Sequence, residues 1–124
     1  MIQRLIVNDT TCQVDEFYYL VALRNQETDE YIMLQRTRPV ESNDDDGIYL
    51  EYYDQINSAY EIITLFEITP KQVNIQLSQA IDNESKIDTF LLELDIEAES
   101  RKELFKGIKE IFKGKESILK VQEV

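Results

Sequence analysis

Residues 72–78 alternate strictly between two classes of side chain, and this pattern constrains the fold more than any other feature of the chain. The apolar positions are Val73, Ile75 and Leu77. The polar positions are Gln72, Asn74, Gln76 and Ser78. Because successive side chains of a strand point to opposite faces, one face of this strand is predicted to be buried and the other wet. A half-buried strand of this kind is typical of an antiparallel sheet.

Six further segments have the apolar or β-branched composition of strands. They are 2–7, 16–24, 31–36, 47–54, 59–69 and 87–96. The polar stretch 25–29 predicts a hairpin turn, and the composition of 37–46 predicts an exposed loop. Pro70 ends the fifth of these segments, because proline cannot donate a hydrogen bond to a neighbouring strand. We therefore expect an antiparallel sheet of about six to seven strands within residues 2–96.

A helix is predicted at 100–113, where Ser100 and Glu103 form the sequence pattern of a capping box. An apolar stripe follows at helical spacing, suited to packing on a sheet, and consists of Leu104, Ile108 and Ile111, widened by Phe105 and Phe112. Gly114 is a fitting end to the helix, and the tail 114–124 either frays or adds an edge strand. Residues 1–124 are thus expected to form one α+β domain, an antiparallel sheet with a C-terminal amphipathic helix on one face.

The charge of the chain limits the partners it can bind. It has 124 residues, enough for one core, and a formal net charge of −12. This charge opposes binding to nucleic acid or to an anionic membrane, and it favours a basic protein as partner. Cys12 is the only cysteine, which excludes an intrachain disulfide and fits a reducing compartment. No apolar run approaches the roughly 18 residues of a membrane span, and the N-terminal segment is too short for a signal peptide, so we expect a cytoplasmic protein.

The chain lacks most residues on which common catalytic sites depend. It contains no histidine, which removes the usual general base and the commonest metal ligand. The segment Asp44-Asp45-Asp46-Gly47 suggests a calcium loop, but aligning Gly47 with the sixth position puts Tyr53 where a glutamate ligand is required. The three glycines are isolated, so no phosphate-binding loop is present. We therefore expect no enzymatic activity, no cofactor and no metal.

The window from Pro39 to Pro70 combines acidic and aromatic residues without any lysine or arginine. Its carboxylates are Glu41, Asp44, Asp45, Asp46, Glu51, Asp54, Glu61 and Glu67. Its tyrosines are Tyr49, Tyr52, Tyr53 and Tyr60. Two interpretations fit equally well. The carboxylates are the solvated side of ordinary strands, or the window is a surface that binds a cationic partner through tyrosine rings, which are common in binding hot spots.

Several short motifs follow one another in a fixed order along residues 14–113. They are Tyr31-Ile-Met-Leu-Gln-Arg36, an acidic loop, Tyr49-Leu-Glu-Tyr-Tyr-Asp-Gln55, Tyr60-Glu-Ile-Ile63, and a closing helix with Leu104, Ile111 and Phe112. In this order and spacing they resemble the immunity protein 10 family of bacterial polymorphic toxin systems. The family's Leu-Gln-Arg element corresponds to Leu34, Gln35 and Arg36, and its Asp-Gln pair to Asp54 and Gln55.

The chain departs from that family pattern after Tyr60. The family has a Tyr-Gly-Gly-Ile turn there, whereas this chain has Tyr60-Glu61-Ile62-Ile63. A close backbone approach that depends on the two glycines is therefore not expected here. The resemblance implies a small cytosolic protein that is encoded with a toxin, binds it, and protects the producing cell or its kin. It does not specify the toxin.

We predict that an acidic, tyrosine-bearing surface occludes a basic site on the toxin domain, for which a nuclease is a suitable candidate. The predicted partner-binding residues are Asp44, Asp45, Asp46, Tyr49, Glu51, Tyr53, Asp54 and Tyr60. Because strand neighbours alternate between faces, either Tyr52 or its neighbours Glu51 and Tyr53 must turn inward.

Two rival functions remain open. One is a structural or regulatory adaptor, which assembles with itself or with another chain through a sheet edge or the helix. The other is a histidine-free hydrolase, which would need a pocket that holds a carboxylate with a raised pKa.

Overall fold

The computed structural model describes residues 1–38 and 47–123. In these two stretches the chain forms ten strands and one α-helix, with a single 3₁₀ turn at Glu116–Ile118. The strands are β1 (Ile2–Val7), β2 (Asp9–Val14), β3 (Tyr18–Arg24), β4 (Tyr31–Thr37), β5 (Tyr49–Tyr52), β6 (Asp54–Tyr60), β7 (Ile63–Ile68), β8 (Gln72–Leu77), β9 (Thr89–Leu94) and β10 (Leu119–Val121). Helix α1 (Ala98–Ile111) lies between β9 and β10 in the sequence.

The strands form two five-stranded sheets. Strands β2 to β6 pair in chain order, each antiparallel to the next, and we call this the meander sheet. The other sheet has the order β1-β9-β8-β7-β10, and we call it the mixed sheet because β1 pairs parallel with β9 and β10 pairs parallel with β7. The predicted α+β class and a helix packed on a sheet are confirmed. The prediction of one antiparallel sheet with six to seven strands is wrong, because the chain crosses between two sheets and adds parallel edge strands.

The strand predictions fail where the chain changes sheets. The predicted strand 59–69 is divided, since β6 ends at Tyr60 and β7 begins at Ile63 in the other sheet. Glu61 lies between them with a φ of 56°, a left-handed conformation that breaks the extended backbone. Strand β2 has few apolar residues and was not predicted at all. The alternating strand at 72–77 is confirmed, with its three apolar side chains buried.

The core lies between the two sheets and includes the inner side of α1. The ring of Tyr52 on the meander sheet packs against Phe90 on the mixed sheet, with centroids 5.0 Å apart. At the other end Phe112, just after α1, packs against Phe66 with the same centroid separation. These contacts join sheets and helix into one apolar cluster. The inner face of the meander sheet is therefore buried, and its outer face lies on the side away from the helix.

Helix α1 packs on β2 and β3 through the predicted apolar stripe, in which Leu104, Ile108 and Ile111 are buried. The predicted capping box does not form, because the helix begins two residues before Ser100. Glu97 occupies the N-cap position, with the extended backbone that a cap requires and no side-chain hydrogen bond. The helix ends at Ile111 with Phe112 as its C-cap, two residues before the predicted end at 113. Gly114 follows in a left-handed conformation, with a φ of 83°.

Gly107 and Cys12 lie where the helix meets the meander sheet. Gly107 has no side chain where α1 meets Val21 and Cys12, so the helix approaches these strands closely. Burial and the nearby Glu103 carboxylate raise the pKa of the Cys12 thiol to about 11, which keeps it protonated.

The tail adds β10 to the mixed sheet, so one of its two predicted outcomes is confirmed. In the part of the chain that the structure describes, no helix is long and apolar enough to cross a membrane.

Candidate protein-binding face

The predicted binding residues fall into three groups. Asp44, Asp45 and Asp46 lie outside the described residues. Tyr49, Glu51 and Tyr60 project from the outer face of the meander sheet. Tyr53 and Asp54 lie at the turn between β5 and β6. The structure therefore brings five of the eight predicted residues to one edge of the meander sheet.

The alternation of β5 determines which side chains face outward. Leu50 and Tyr52 are buried in the core, so Tyr49 and Glu51 must point to the opposite face. The neighbouring strand places Tyr60 directly across from Tyr49, and the two rings lie 5.2 Å apart with an interplanar angle of 55°. The question of which tyrosine turns inward is thus decided in favour of Tyr52.

The sequence interpretation missed Tyr31, which belongs to the same cluster. This residue begins β4, and its hydroxyl donates a hydrogen bond to Glu51 Oε2 at 2.5 Å. From the other side, the hydroxyl of Tyr49 donates to Glu51 Oε1 at 2.6 Å. Since Met33 is the residue directly opposite Glu51, Tyr31 reaches the carboxylate along a diagonal between neighbouring strands. The period-two pattern of β4 could have placed Tyr31 on the outer face, but only the pairing register shows that it meets Glu51.

The two tyrosines that bind Glu51 hold their protons firmly. Burial, together with the hydrogen bond and negative charge of Glu51, raises the pKa of Tyr31 to about 12. The same causes, again with burial the largest, raise the pKa of Tyr49. Both hydroxyls are therefore protonated donors at neutral pH, and the Glu51 carboxylate has one donor on each oxygen.

Tyr53 forms the rim of this cluster. Its φ of 61° turns the chain sharply between β5 and β6. Its ring packs edge-on against Tyr31, with centroids 6.5 Å apart and an interplanar angle of 87°. Asp54 accepts a hydrogen bond from the backbone N–H of Ile56 at 3.1 Å, so its carboxylate helps to form the turn. We call Tyr31, Tyr49, Glu51, Tyr53 and Tyr60 together the tyrosine face.

The basic residues near the tyrosine face already have acidic partners. Arg24 lies beside Tyr31 in the pairing register and contacts Asp9 at 2.9 Å and Asp29 at 3.8 Å. Lys115 forms an ion pair with Glu61 at 2.5 Å. Among residues 1–38 and 47–123, no lysine or arginine nitrogen lies within 4.0 Å of the Glu51 carboxylate. The negative charge at the centre of the tyrosine face is thus hydrogen-bonded but not neutralised.

Two residues of the recognised motifs have structural roles instead. The Tyr52 hydroxyl donates to Glu30 at 2.5 Å, and Glu30 also accepts from Gln3 at 3.2 Å, which links the two sheets. Burial and Glu30 raise the Tyr52 pKa. Arg36 is only 5% exposed and donates to the Ile111 carbonyl at 2.9 Å and to the carbonyl of Lys113. Its guanidinium therefore satisfies carbonyls at the C-terminal end of α1.

Two depressions of the described surface are lined by residues other than those of the tyrosine face. One has a volume of about 410 Å³ between β2 and the start of α1, and its lining includes Asp9, Asp95 and Glu97. The other, of about 1300 Å³, runs along the mixed sheet beside Arg4 and Glu93. Within the described residues no three Asp, Glu or Cys side chains are placed to hold a metal ion together.

No protein-family model matches the chain, and no curated protein matches it either. The resemblance to the immunity protein 10 family therefore stays a prediction.

Proposed function

We propose that this protein is an immunity protein, which binds a bacterial toxin domain through the tyrosine face and thereby neutralises it. One observation carries the proposal. The outer face of the meander sheet holds four tyrosines around a carboxylate that has no cationic partner among the described residues. Ordinary surfaces mix both signs of charge and seldom group aromatic rings, whereas binding hot spots do group them.

In this proposal the protein acts in the cytoplasm by occupying a surface and catalyses no reaction. The partner's contact surface is basic, as in a nuclease whose own substrate is a polyanion. The net charge of −12 speeds the encounter with such a surface. Rigid tyrosine rings then provide contact area at little cost in conformational entropy, which slows dissociation. Tyr60 and Tyr53 are suited to this role, since 54% and 50% of their surfaces are exposed.

Growth rescue is the direct test of this function. The protein would be co-expressed with the toxic C-terminal domain encoded beside it, as wild type and as a Tyr49→Ala, Tyr60→Ala double variant. Phe17→Ala is the matched control, because Phe17 is an aromatic residue that is 69% exposed and lies outside the tyrosine face, in the turn before β3. We expect rescue by the wild type and by the control, and loss of rescue by the folded double variant.

Other results would change the proposal in defined ways. Rescue by all three proteins would keep immunity and move the interface away from Tyr49 and Tyr60. In that case a variant with Asp44, Asp45 and Asp46 changed to Asn tests the remainder of the predicted surface. Failure of the soluble, folded wild type to rescue growth would contradict immunity against that toxin.

A structural or regulatory adaptor is the second candidate function, and the edge of the meander sheet favours it. Strand β6 is at this edge, and Ile56 beside its turn is 84% exposed. Free sheet edges can pair with another strand, in a second copy or in a different chain. Light scattering of the purified protein tests self-assembly. A dimer that Ile56→Asp converts to a monomer would support the adaptor, and a monomer at all concentrations would contradict self-assembly.

A further inference from the structure

Glu51 is held in a fixed position and still keeps its negative charge, whereas a solvated surface carboxylate keeps its charge but is free to move. Tyr31 and Tyr49 hold it from opposite sides, so its position is fixed before any partner arrives. Both donors are neutral phenols, so the full negative charge remains. Each carboxylate oxygen can accept two hydrogen bonds, and each receives one here, which leaves one acceptor site per oxygen.

The surrounding rings define where an incoming group can lie. Tyr49 precedes Glu51 by two positions in β5, about 7 Å away along the strand. Tyr53 follows Glu51 at the turn after β5. Tyr60 packs beside Tyr49 at one end, and Tyr31 packs beside Tyr53 at the other. The carboxylate thus has a pair of aromatic rings on each side along the strand. A planar cation placed over Glu51 would contact rings as well as oxygens.

We propose that Glu51 is the receptor for one arginine side chain of the partner, whose guanidinium lies on the carboxylate between the two tyrosine pairs. This inference rests on the proposed function and names the chemistry of its contact. Arginine fits better than lysine, because its planar fork gives two parallel hydrogen bonds to a carboxylate and its flat faces stack on aromatic rings. A lysine ammonium is a more strongly hydrated point charge and offers neither feature.

The charges around the site support an arginine from another protein. Arg24 is the basic residue that the register places closest to the cluster, and Asp9 and Asp29 already occupy it. The segment 39–46, which precedes β5, contains no lysine or arginine that could serve instead. Charge complementarity therefore points to a cation from outside this chain.

The first experiment measures the site without the toxin. The folded protein would be titrated with N-acetyl-arginine amide, N-acetyl-lysine amide and the uncharged isostere N-acetyl-citrulline amide, with NMR of the tyrosine rings and backbone as the readout. We expect the arginine derivative to shift signals of Tyr31, Tyr49 and Glu51 at concentrations about threefold or more below those of the lysine derivative. Citrulline should cause no comparable shift. Equal titration by arginine and lysine, or no localised shift with arginine, would overturn the proposal.

Substitution at Glu51 tests the receptor itself. Glu51→Gln removes the charge and keeps the shape, and Glu93→Gln removes an equal charge from an exposed position on the mixed sheet. Glu51→Gln should abolish the localised arginine shifts, whereas Glu93→Gln should leave them as in the wild type. The same titration curve for wild type and Glu51→Gln would show that Glu51 is not the arginine receptor. Tyr31→Phe is a second variant for the same titration. It retains the charge of Glu51 and removes one of the two hydroxyls that fix the carboxylate.

Toxin binding separates this inference from the proposed function. For Glu51→Gln we expect the toxin affinity to fall at least about tenfold, with the dissociation rate changed most. If the Tyr49→Ala, Tyr60→Ala variant loses binding but Glu51→Gln does not, the immunity function stands and the arginine receptor is wrong. If the wild type does not bind or rescue, the proposed function fails, and the amide titrations still decide whether the arginine site exists.

Discussion

At the scale of single residues, the hydrogen bonds at Glu51 show how a carboxylate can be fixed in place without being neutralised. A lysine or arginine partner would orient the carboxylate too, but it would cancel the charge that a partner protein could use. Phenol hydroxyls satisfy the oxygens and leave the charge in place. The tyrosines are affected in turn, because a nearby anion and partial burial disfavour their ionised form.

This coupling predicts a loss of stability at high pH. The pKa of Tyr31 is about 12 in the folded protein and near 10 in the unfolded chain. Its contribution to stability is therefore complete below pH 10 and is lost as the pH rises from 10 towards 12, because the unfolded chain releases its proton first. Urea unfolding at several pH values across this range measures the slope. Tyr31→Phe should reduce the slope relative to the wild type, and an unchanged slope would contradict the link between Tyr31 and Glu51.

Of the lysine and arginine residues, buried Arg36 is the one whose substitution should lower the free energy of unfolding most. Its guanidinium donates to carbonyls at the C-terminal end of α1, and Arg36→Met would leave them without this donor. We expect the free energy of unfolding to fall by about 3 kcal/mol. Urea denaturation measures the change, and hydrogen exchange should locate it at residues 111–113.

The matched control for Arg36 is Arg4→Met, at an exposed position on the mixed sheet, which should change the free energy of unfolding by less than about 0.5 kcal/mol. Arg36→Lys should fall between the two, because it keeps the charge but lacks the planar fork. Similar losses at Arg4 and Arg36 would show that the helix-end contacts contribute little.

At the scale of elements, the periodicity of the sequence predicts those strands and helix faces whose own residues alternate clearly between apolar and polar. The strand at 72–77 and the buried stripe of α1 have clear periods, and both are confirmed. Strand β2 has weak apolar alternation and forms because β3 pairs with it, so its own residues gave little signal. The break at Glu61 requires a left-handed backbone that its residue type does not favour. Parallel pairing of β1 with β9 joins segments more than 80 residues apart, which no local pattern contains.

The candidate site likewise combines features that the local sequence predicts with features that depend on the pairing of strands. Tyr49, Glu51 and Tyr60 could be nominated from composition, but their shared face depended on the inward turn of Tyr52. Tyr31 could not be nominated, because its link to Glu51 depends on the register between β4 and β5. The sequence thus predicts three residues that share this face, and it does not predict Tyr31, which hydrogen-bonds to one of them.

Gly107 makes the contact between helix and meander sheet testable. In an exposed helix interior, Gly→Ala normally adds about 1 kcal/mol of stability. Here the new Cβ would lie 3.0 Å from Val21 Cγ2 and 3.2 Å from Cys12 Sγ, so Gly107→Ala should instead destabilise the protein by about 1 to 3 kcal/mol. Thermal and urea unfolding measure the sign.

The exposed neighbour Lys106→Ala serves as the control for Gly107 and should change stability by less than about 0.5 kcal/mol. A double-mutant cycle with Val21→Ala should show that the two changes are coupled, since the smaller side chain makes room for the added methyl group. A gain of about 1 kcal/mol from Gly107→Ala alone would mean that the helix can shift freely on the sheet.

At the scale of the whole molecule, the net charge of −12 opposes the folded state, because folding brings like charges together. Added salt screens this repulsion. We expect Tm at pH 7 to rise by about 5 °C between about 20 mM and 0.5 M NaCl. Near pH 4.5, where many carboxylates take up protons, the rise should be smaller. Scanning calorimetry or circular dichroism measures both series, and a Tm that falls with NaCl at pH 7 would show that attractive surface pairs outweigh the repulsion.

The alternation of β5 and β6 also has an evolutionary consequence. Positions 49, 51 and 60 face water, while Leu50 and Tyr52, interleaved with them on β5, belong to the core. If the tyrosine face binds the proposed partner, a mutation on the outer face changes what the protein recognises and leaves the interior packing intact. Under the proposed immunity function, a lineage with this fold could track a changing toxin through substitutions at a few surface positions, while selection for a stable interior acts separately on their neighbours in the same strands.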